Sequence, residues 1–510
     1  MAARRARARS LAQIDTIVML MLENRSLDTM LGWAHRDGLP INIWPPGSLP
    51  ARFDGIPSNA LNDRDGWPYP PTPGFAHLQA QQWRSPRWDP YEGLRNVQIQ
   101  MYADGDGVVS DLRWGAAKMK GFAVDYPAGD LTSFGEVMGA YTKEELPVLY
   151  GLAERFAVSD RWFSPVPTET DPNRAFSLCG TSQGDEYDVP ERIFTAPTIF
   201  NGLNPTDNGK NPGRDWAIYW QYNGRGAFDP PGNVCFTQGR FEQVKAALAD
   251  PHSRGQLLPY SSLLAALRDG SDVPNFCYVE PWWGWGVGMP DGTDFWGFQG
   301  NDYHPTAWIG PAEWDLNELY EALINSRQWE HMLFIVTFDE HGGTWDHVAP
   351  PRAANPDGMI GPDGFLFERM GPRVPTLLIS PYVRPRTVFR APAESRAAFD
   401  HTSIIKTVLE WAGTDPAFVR LLGSRVANAP SFAGVLAPSR QISDPPHFEV
   451  PLHYRNQGGG KGPHNLPFDA HGLTVLDHRA VLAQSTTAAA YCGALEARAT
   501  QLRRATALED

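Results

Sequence analysis

Met332-Leu333-Phe334-Ile335-Val336-Thr337 is an unbroken apolar run that leads, across Phe338, into Asp339-Glu340-His341-Gly342-Gly343. A short run without polar alternation, closed by charge and glycine, reads as a strand buried on both faces, the kind found in parallel sheets. A second run, Thr16–Leu22, ends in the same manner, in Glu23-Asn24-Arg25-Ser26-Leu27-Asp28. Ligands of open α/β sheets gather at the carboxyl ends of the strands. Two strand ends therefore present carboxylate and amide oxygens where chemistry is expected.

Working outward, Val374–Ser380 and Asn275–Val279 read as further buried strands. Between them, Glu144–Phe156, Glu313–Asn325 and Thr402–Trp411 carry apolar residues at spacings of three and four, as does the last segment from about residue 480. Strands alternating with helices predict an α/β fold with a central, mainly parallel sheet flanked by helices. Residues 34–90, 200–236 and 282–303 are rich in Pro, Gly, Asp and Trp and show little periodicity. They read as long loop insertions that shape a site. Residues 440–475, with Gly458–Gly460, read as a surface loop. No internal repeat and no linker is visible. The expectation is one domain over 1–510, with a catalytic core of about 12–412 and a C-terminal extension of about 413–510.

Composition narrows the partners. The chain has 44 Lys and Arg against 58 Asp and Glu, a net charge of −14. A diffuse acidic balance argues against nucleic acid and against an electrostatic hold on anionic membranes. The four cysteines, Cys179, Cys235, Cys277 and Cys492, form no CxxC pair and read as buried small residues, with one or two disulfides open to an exported form. The start, with Arg4, Arg5, Arg7 and Arg9, lacks the apolar h-region of an export signal. No apolar stretch is long enough for a transmembrane helix. The chain as it stands is expected to be cytoplasmic, with export open if a leader has been removed. Nothing in the pattern speaks to oligomeric state.

Five constellations carry chemistry. Glu23 and Asn24 suit a hard cation, although Asn24 or Ser26 could equally cap a helix. Asp339 and Glu340 repel one another unless a cation or a basic group neutralises them, and Asp346-His347 follows. In Pro167-Thr168-Glu169-Thr170-Asp171-Pro172-Asn173-Arg174, a hydroxyl in a Pro-restricted turn before a helix could be a fixed nucleophile and Arg174 would favour a phosphate, while the plainer reading is a helix cap. His304, in Asn301-Asp302-Tyr303-His304-Pro305, could bind phosphate or protonate a leaving oxygen, against the plainer reading of a surface loop histidine. Asp400-His401-Thr402-Ser403 reads as a helix cap.

Each signal is weak alone; their order and chemistry resemble the phosphoesterase family of bacterial non-haemolytic phospholipases C and related acid phosphatases. The family pattern runs ENRSFD, T-x-PNR, ND-x-HP, DEHGG-x-x-DHVxPP, VPxxxISP and DHTS. It matches here at Glu23–Asp28, Thr170–Arg174, Asn301–Pro305, Asp339–Pro351, Val374–Pro381 and Asp400–Ser403. The resemblance implies an alkaline-phosphatase-like sandwich and one divalent metal ion (Ca, Mg, Mn or Zn) on Glu23, Asn24, Asp339 and Glu340. It implies Thr170 as nucleophile, His304 on the phosphate side, and a catalytic part for His347 in the DHV element. Two departures stand out. The DPGH-like stretch is Asp89-Pro90-Tyr91-Glu92 here, and a His-Phe pair upstream is Arg240-Phe241.

The expected activity is metal-dependent cleavage of a phosphodiester, phospholipase C-type, through a Thr170 phosphoenzyme, with Arg174 and His304 assisting. The substrate is a phosphoester small molecule or a phospholipid. The run Trp282, Trp283, Trp285, Phe295, Trp296 and Phe298 could form an aromatic wall for a choline group, or simply pack the loop. The rivals are an acid phosphatase acting on monoesters and a member that binds ligand without turnover.

Overall fold

The computed structural model describes residues 10–455 apart from 76–85, 87, 104–116, 129–133, 190–191, 205–212, 222–234, 284, 289–294 and 299. Nine strands form the central sheet: β1 (Thr16–Leu22), β2 (Asn42–Trp44), β3 (Ala157–Ser159), β4 (Trp216–Trp220), β5 (Gly255–Pro259), β6 (Phe276–Glu280), β7 (Met332–Phe338), β8 (Thr376–Ile379) and β9 (Thr387–Phe389). Their spatial order is β2-β9-β3-β8-β7-β1-β6-β4-β5. Every pairing is parallel except the two made by β8, which alone runs against its neighbours.

β1 and β7 lie side by side at the middle, in register from Thr16 opposite Met332 to Leu22 opposite Phe338. Every residue of both strands is buried. That is why each reads as a continuous apolar run, since both faces of the sheet are covered by other layers. The helices that matter below are α1 (Leu27–Leu31), α2 (Leu94–Tyr102), α3 (Pro147–Arg155), α4 (Thr170–Cys179), α5 (Ile199–Leu203), α6 (Glu242–Ala249), α7 (Tyr260–Asp269), α8 (Gly310–Ile324) and α9 (His401–Ala412). They pack in two groups: α3, α8 and α7 touch in sequence, while α9, α4, α5 and α6 touch among themselves. The architecture is thus the expected α/β layering around a mainly parallel sheet.

Several elements went unread in the sequence. β4 lies inside the stretch 200–236, and residues 282–303 hold a two-stranded ribbon, Trp285–Gly288 with Phe295–Phe298. Cys179, Cys235 and Cys277 are buried free thiols. Cys492, Gly458–Gly460 and the segment from about residue 480 lie outside the described residues. Among the described residues no helix is long and apolar enough to cross a membrane.

Candidate active site

Because β1 and β7 are parallel neighbours in register, the residues that follow them emerge together. The Asp339 backbone N–H donates to the Leu22 carbonyl at 3.1 Å, and the Asn24 N–H donates to Asp339 Oδ1, also at 3.1 Å. Gly342 makes this approach possible: it sits at φ +60°, and a Cβ there would lie 1.9 Å from the Asn24 carbonyl oxygen. From behind, the His401 imidazole accepts from Trp162 Nε1 at 3.2 Å, so its Nε2–H donates to the Asp339 carbonyl at 2.7 Å. The residue read as a cap ornament is a tether for the metal-ligand candidate.

Helix α4 brings the third segment. Thr170 opens it, half-buried, and its hydroxyl donates to Asn24 Oδ1 at 3.2 Å. One turn on, Arg174 is fully buried and ion-pairs with Asp339 Oδ2 at 3.0 Å and Glu23 Oε1 at 3.3 Å, stacked over the Trp283 ring at 4.2 Å. The sequence reading gave Arg174 to the phosphate. The structure commits its Nε to Asp339 and its Nη2 to Glu23 and the Leu22 carbonyl, with the Tyr278 phenol also against the guanidinium.

The Asn24 amide is oriented by its neighbours. His304 Nδ1 contacts the Pro305 carbonyl, which can only accept, so Nδ1 carries the proton and Nε2 is a lone pair. Asn24 Nδ2 then donates to His304 Nε2 at 3.0 Å and to Glu92 Oε2 at 2.9 Å, which leaves Oδ1 facing Thr170. Burial lowers the His304 pKa to about 4, so the ring is neutral at pH 7. Glu92 belongs to the stretch that lacks the expected histidine, and it brings an acceptor there instead. Arg240, in the other departing stretch, ion-pairs with Asp171 at 3.3 Å.

The carboxylates outnumber the guanidinium between them. Burial, and then a neighbouring carboxylate, push Glu23, Glu92 and Glu340 well above the ordinary range. Burial raises Asp339 too, with Arg174 opposing it. Among the described residues no donor N–H or O–H reaches the buried Glu340 Oε1, and the Glu340 side chain lies against the Glu92 carboxyl. Gln100 adds to the strain on this residue: it donates to Tyr91 O and Asp125 Oδ2, so its Oε1 must accept from His341 Nε2 at 2.8 Å. His341 Nδ1 is then a lone pair 3.0 Å from Glu340 Oε2. Buried carboxylates crowded against one another, with no donor on Glu340 Oε1, fit a divalent cation.

His347 is placed elsewhere. Its Nδ1 bonds Asp28 Oδ2 at 2.5 Å, and its Nε2 lies 3.7 Å from Asp54 Oδ1. Asp28, Asp346 and His347 converge closely enough to suggest a metal cluster. Arg373 already fills it, with Nε 2.9 Å from Asp346 Oδ1 and Nη2 2.9 Å from Asp28 Oδ1. His347 thus joins an ion network and not the group around Thr170. Trp283, from the aromatic run, packs on Arg174, while the side chains of Trp285, Phe295, Trp296 and Phe298 lie outside the described residues.

A family model described as the Phosphoesterase family matches residues 14–412. The chain belongs to the Phosphoesterase family. It is 30% identical over 429 residues to non-specific phospholipase C4 of Arabidopsis thaliana, across 79% of this chain and 71% of that protein. It is 27% identical over 294 residues to phospholipase C A of Mycobacterium tuberculosis, across 53% and 51%. Among solved structures, an alkaline phosphatase superfamily protein from Vibrio parahaemolyticus aligns with TM-score 0.29 and 12% identity, over 58% of this chain and 66% of that one. This phosphoesterase is a phosphoric ester hydrolase, as the motifs implied.

Proposed function

We propose that this phosphoesterase cleaves phosphodiesters in the manner of a phospholipase C, with Thr170 as nucleophile and a divalent cation on Glu23, Asn24, Asp339 and Glu340. One observation carries the reading: the Thr170 hydroxyl, at the N-terminus of α4, meets Asn24 Oδ1, and the Asn24 backbone N–H is itself held by Asp339. When bound, the cation supplies Lewis-acid stabilisation and eases deprotonation of a hydroxyl. The residues supply position. Asn24, held by His304 and Glu92, accepts the Thr170 hydroxyl hydrogen at 3.2 Å and so fixes the direction of that hydroxyl for attack on phosphorus. The α4 N-terminus favours charge developing there. Arg174 keeps Glu23 and Asp339 fixed.

Thr170 Oγ forms a bond to phosphorus, the phosphorus–oxygen bond to the alcohol breaks, and the threonyl proton ends on the released alcohol. Water then cleaves the threonyl ester and returns a proton to Oγ. Thr170→Val removes the hydroxyl and little else. Turnover of p-nitrophenylphosphorylcholine should fall at least about a thousandfold, with metal content by mass spectrometry unchanged. Wild-type-like turnover in that variant would take Thr170 out of the mechanism. Chelation should abolish wild-type turnover reversibly. A preference for p-nitrophenyl phosphate over the diester would favour the phosphatase reading.

A further inference from the structure

Beside Thr170 the chain displays apolar side chains that the fold does not need. Loop 355–366 is rooted firmly. Phe365 and Phe367 pack in a small core with Leu94, Val166 and Phe176. The buried Glu186 carboxylate accepts from the Asp363 N–H at 2.7 Å and the Phe365 N–H at 2.9 Å. Asn355 donates to the carbonyls of Met359 and Leu366, and accepts from the N–H groups of Asp357 and Gly358. Gly358 and Gly364, both at φ +83°, make the turns. Yet this well-built loop presents Ile360 at 62% exposure, with Met359 and Leu366 also exposed, at 45% and 44%.

The loop is joined to the site. Glu186, which holds it, also accepts through its carbonyl from Thr168, two residues before Thr170. Asp363 bonds Tyr187 and Arg95, and Met359 lies against Gly184. Val189, one residue after the Asp188 that accepts from the Asp171 N–H, is exposed; so is Tyr91, beside Glu92. Single exposed apolar residues are ordinary, but a cluster on cross-linked loops around one site marks a contact surface.

We propose that Tyr91, Val189, Met359, Ile360 and Leu366 form a membrane-docking rim, which seats the enzyme on a phospholipid surface with Thr170 facing the headgroups. The lipid occupant rests on the phospholipase C reading: a diacyl phosphoester must bring its phosphate to Thr170 while its acyl chains stay in an apolar phase beside it. Charge selects the kind of surface. The chain carries −14, Asp357 stands on the rim, and the Arg95 there is matched by Asp363 at 3.1 Å, so the rim offers anionic lipid no basic excess; the hold is apolar and suits a zwitterionic bilayer.

The test is co-sedimentation with phosphatidylcholine vesicles, alongside turnover of vesicular phosphatidylcholine and of soluble p-nitrophenylphosphorylcholine. The double variant Met359→Asp/Ile360→Asp should lose vesicle binding at least about tenfold. Lipid turnover should fall in step, and soluble turnover should be unchanged. Leu49→Asp, an exposed leucine on the turn after edge strand β2, should bind as wild type does. Wild-type vesicle binding by the double variant, no binding by the wild-type protein, or an equal fall on the soluble ester would overturn the rim. Vesicle binding that depends on Met359 and Ile360, in a protein that cleaves no phosphoester, would keep the rim and discard the catalytic reading.

Discussion

At the scale of single residues, the site is a problem of unbalanced charge. Glu23, Asp339 and Glu340 are buried together with one guanidinium, that of Arg174. Removing one partner of a buried ion pair leaves a charge that neither water nor protein compensates. Arg174→Met should therefore destabilise the fold by about 3–5 kcal/mol in urea unfolding. If the carboxylates hold a cation, adding a divalent ion should restore part of that loss. An Arg174→Met protein as stable as wild type, or one indifferent to added ions, would contradict this picture. The motif spelled out Glu23, Asn24, Thr170, Asp339 and Glu340 because their chemistry lies in residue type and strand-end position. It did not spell out Arg174's commitment or His347's place, because each depends on a partner distant in sequence: Glu23 and Asp339 for the first, Asp28 and Asp54 for the second.

At the scale of elements, β8 shows what periodicity cannot read. Thr376–Ile379 is apolar like its neighbours, and nothing in that composition tells its direction. Running antiparallel, it places Arg373, three residues before its first residue, on the rim where β1 and β7 end. Arg390, just after the parallel β9, reaches the same rim and pairs with Asp160 at 2.7 Å. The buried central strands were legible since both faces are covered. β3 was missed because three residues are too short a signal, and β5 because its edge position leaves it half-exposed and mixed in character. The β1–β7 joint makes a sharp prediction. Gly342→Ala forces a side chain into the Asn24 backbone at a positive φ, so something must move. Stability should fall by about 2–4 kcal/mol, and turnover should fall with it because Asn24 is displaced. Unchanged melting temperature and activity would mean that the two strand ends are not clamped as described.

At the scale of the whole molecule, the loops on the carboxyl rim are tied into one another by buried ions, and His347 makes that tie sensitive to pH. Arg373 joins Asp28 after β1 to Asp346 after β7, and donates to the carbonyls of Asp54 and Asp160. His347 joins Asp28 to Asp54, which also pairs with Arg161. Burial alone would lower the His347 pKa, but Asp28 and Asp54 outweigh it and raise the value to about 9. A folded pKa above the unfolded one means that the charged ring stabilises the fold. That contribution is full below about pH 6.5, the unfolded value, and is lost as pH rises through about 9. The shift corresponds to roughly 3 kcal/mol. Other groups titrate nearby, Glu313 at about 7 among them, and a buried acid of raised pKa also loses stability as pH climbs. The comparison must therefore be between wild type and His347→Gln, which shares those groups. Wild type should lose more unfolding free energy than the variant between pH 6.5 and 9.5, by up to about 3 kcal/mol. Below pH 6.5 the gap between the two should stay constant. Parallel curves across the whole range would show that the His347–Asp28 contact does not hold the rim together, and would reopen a catalytic part for this histidine.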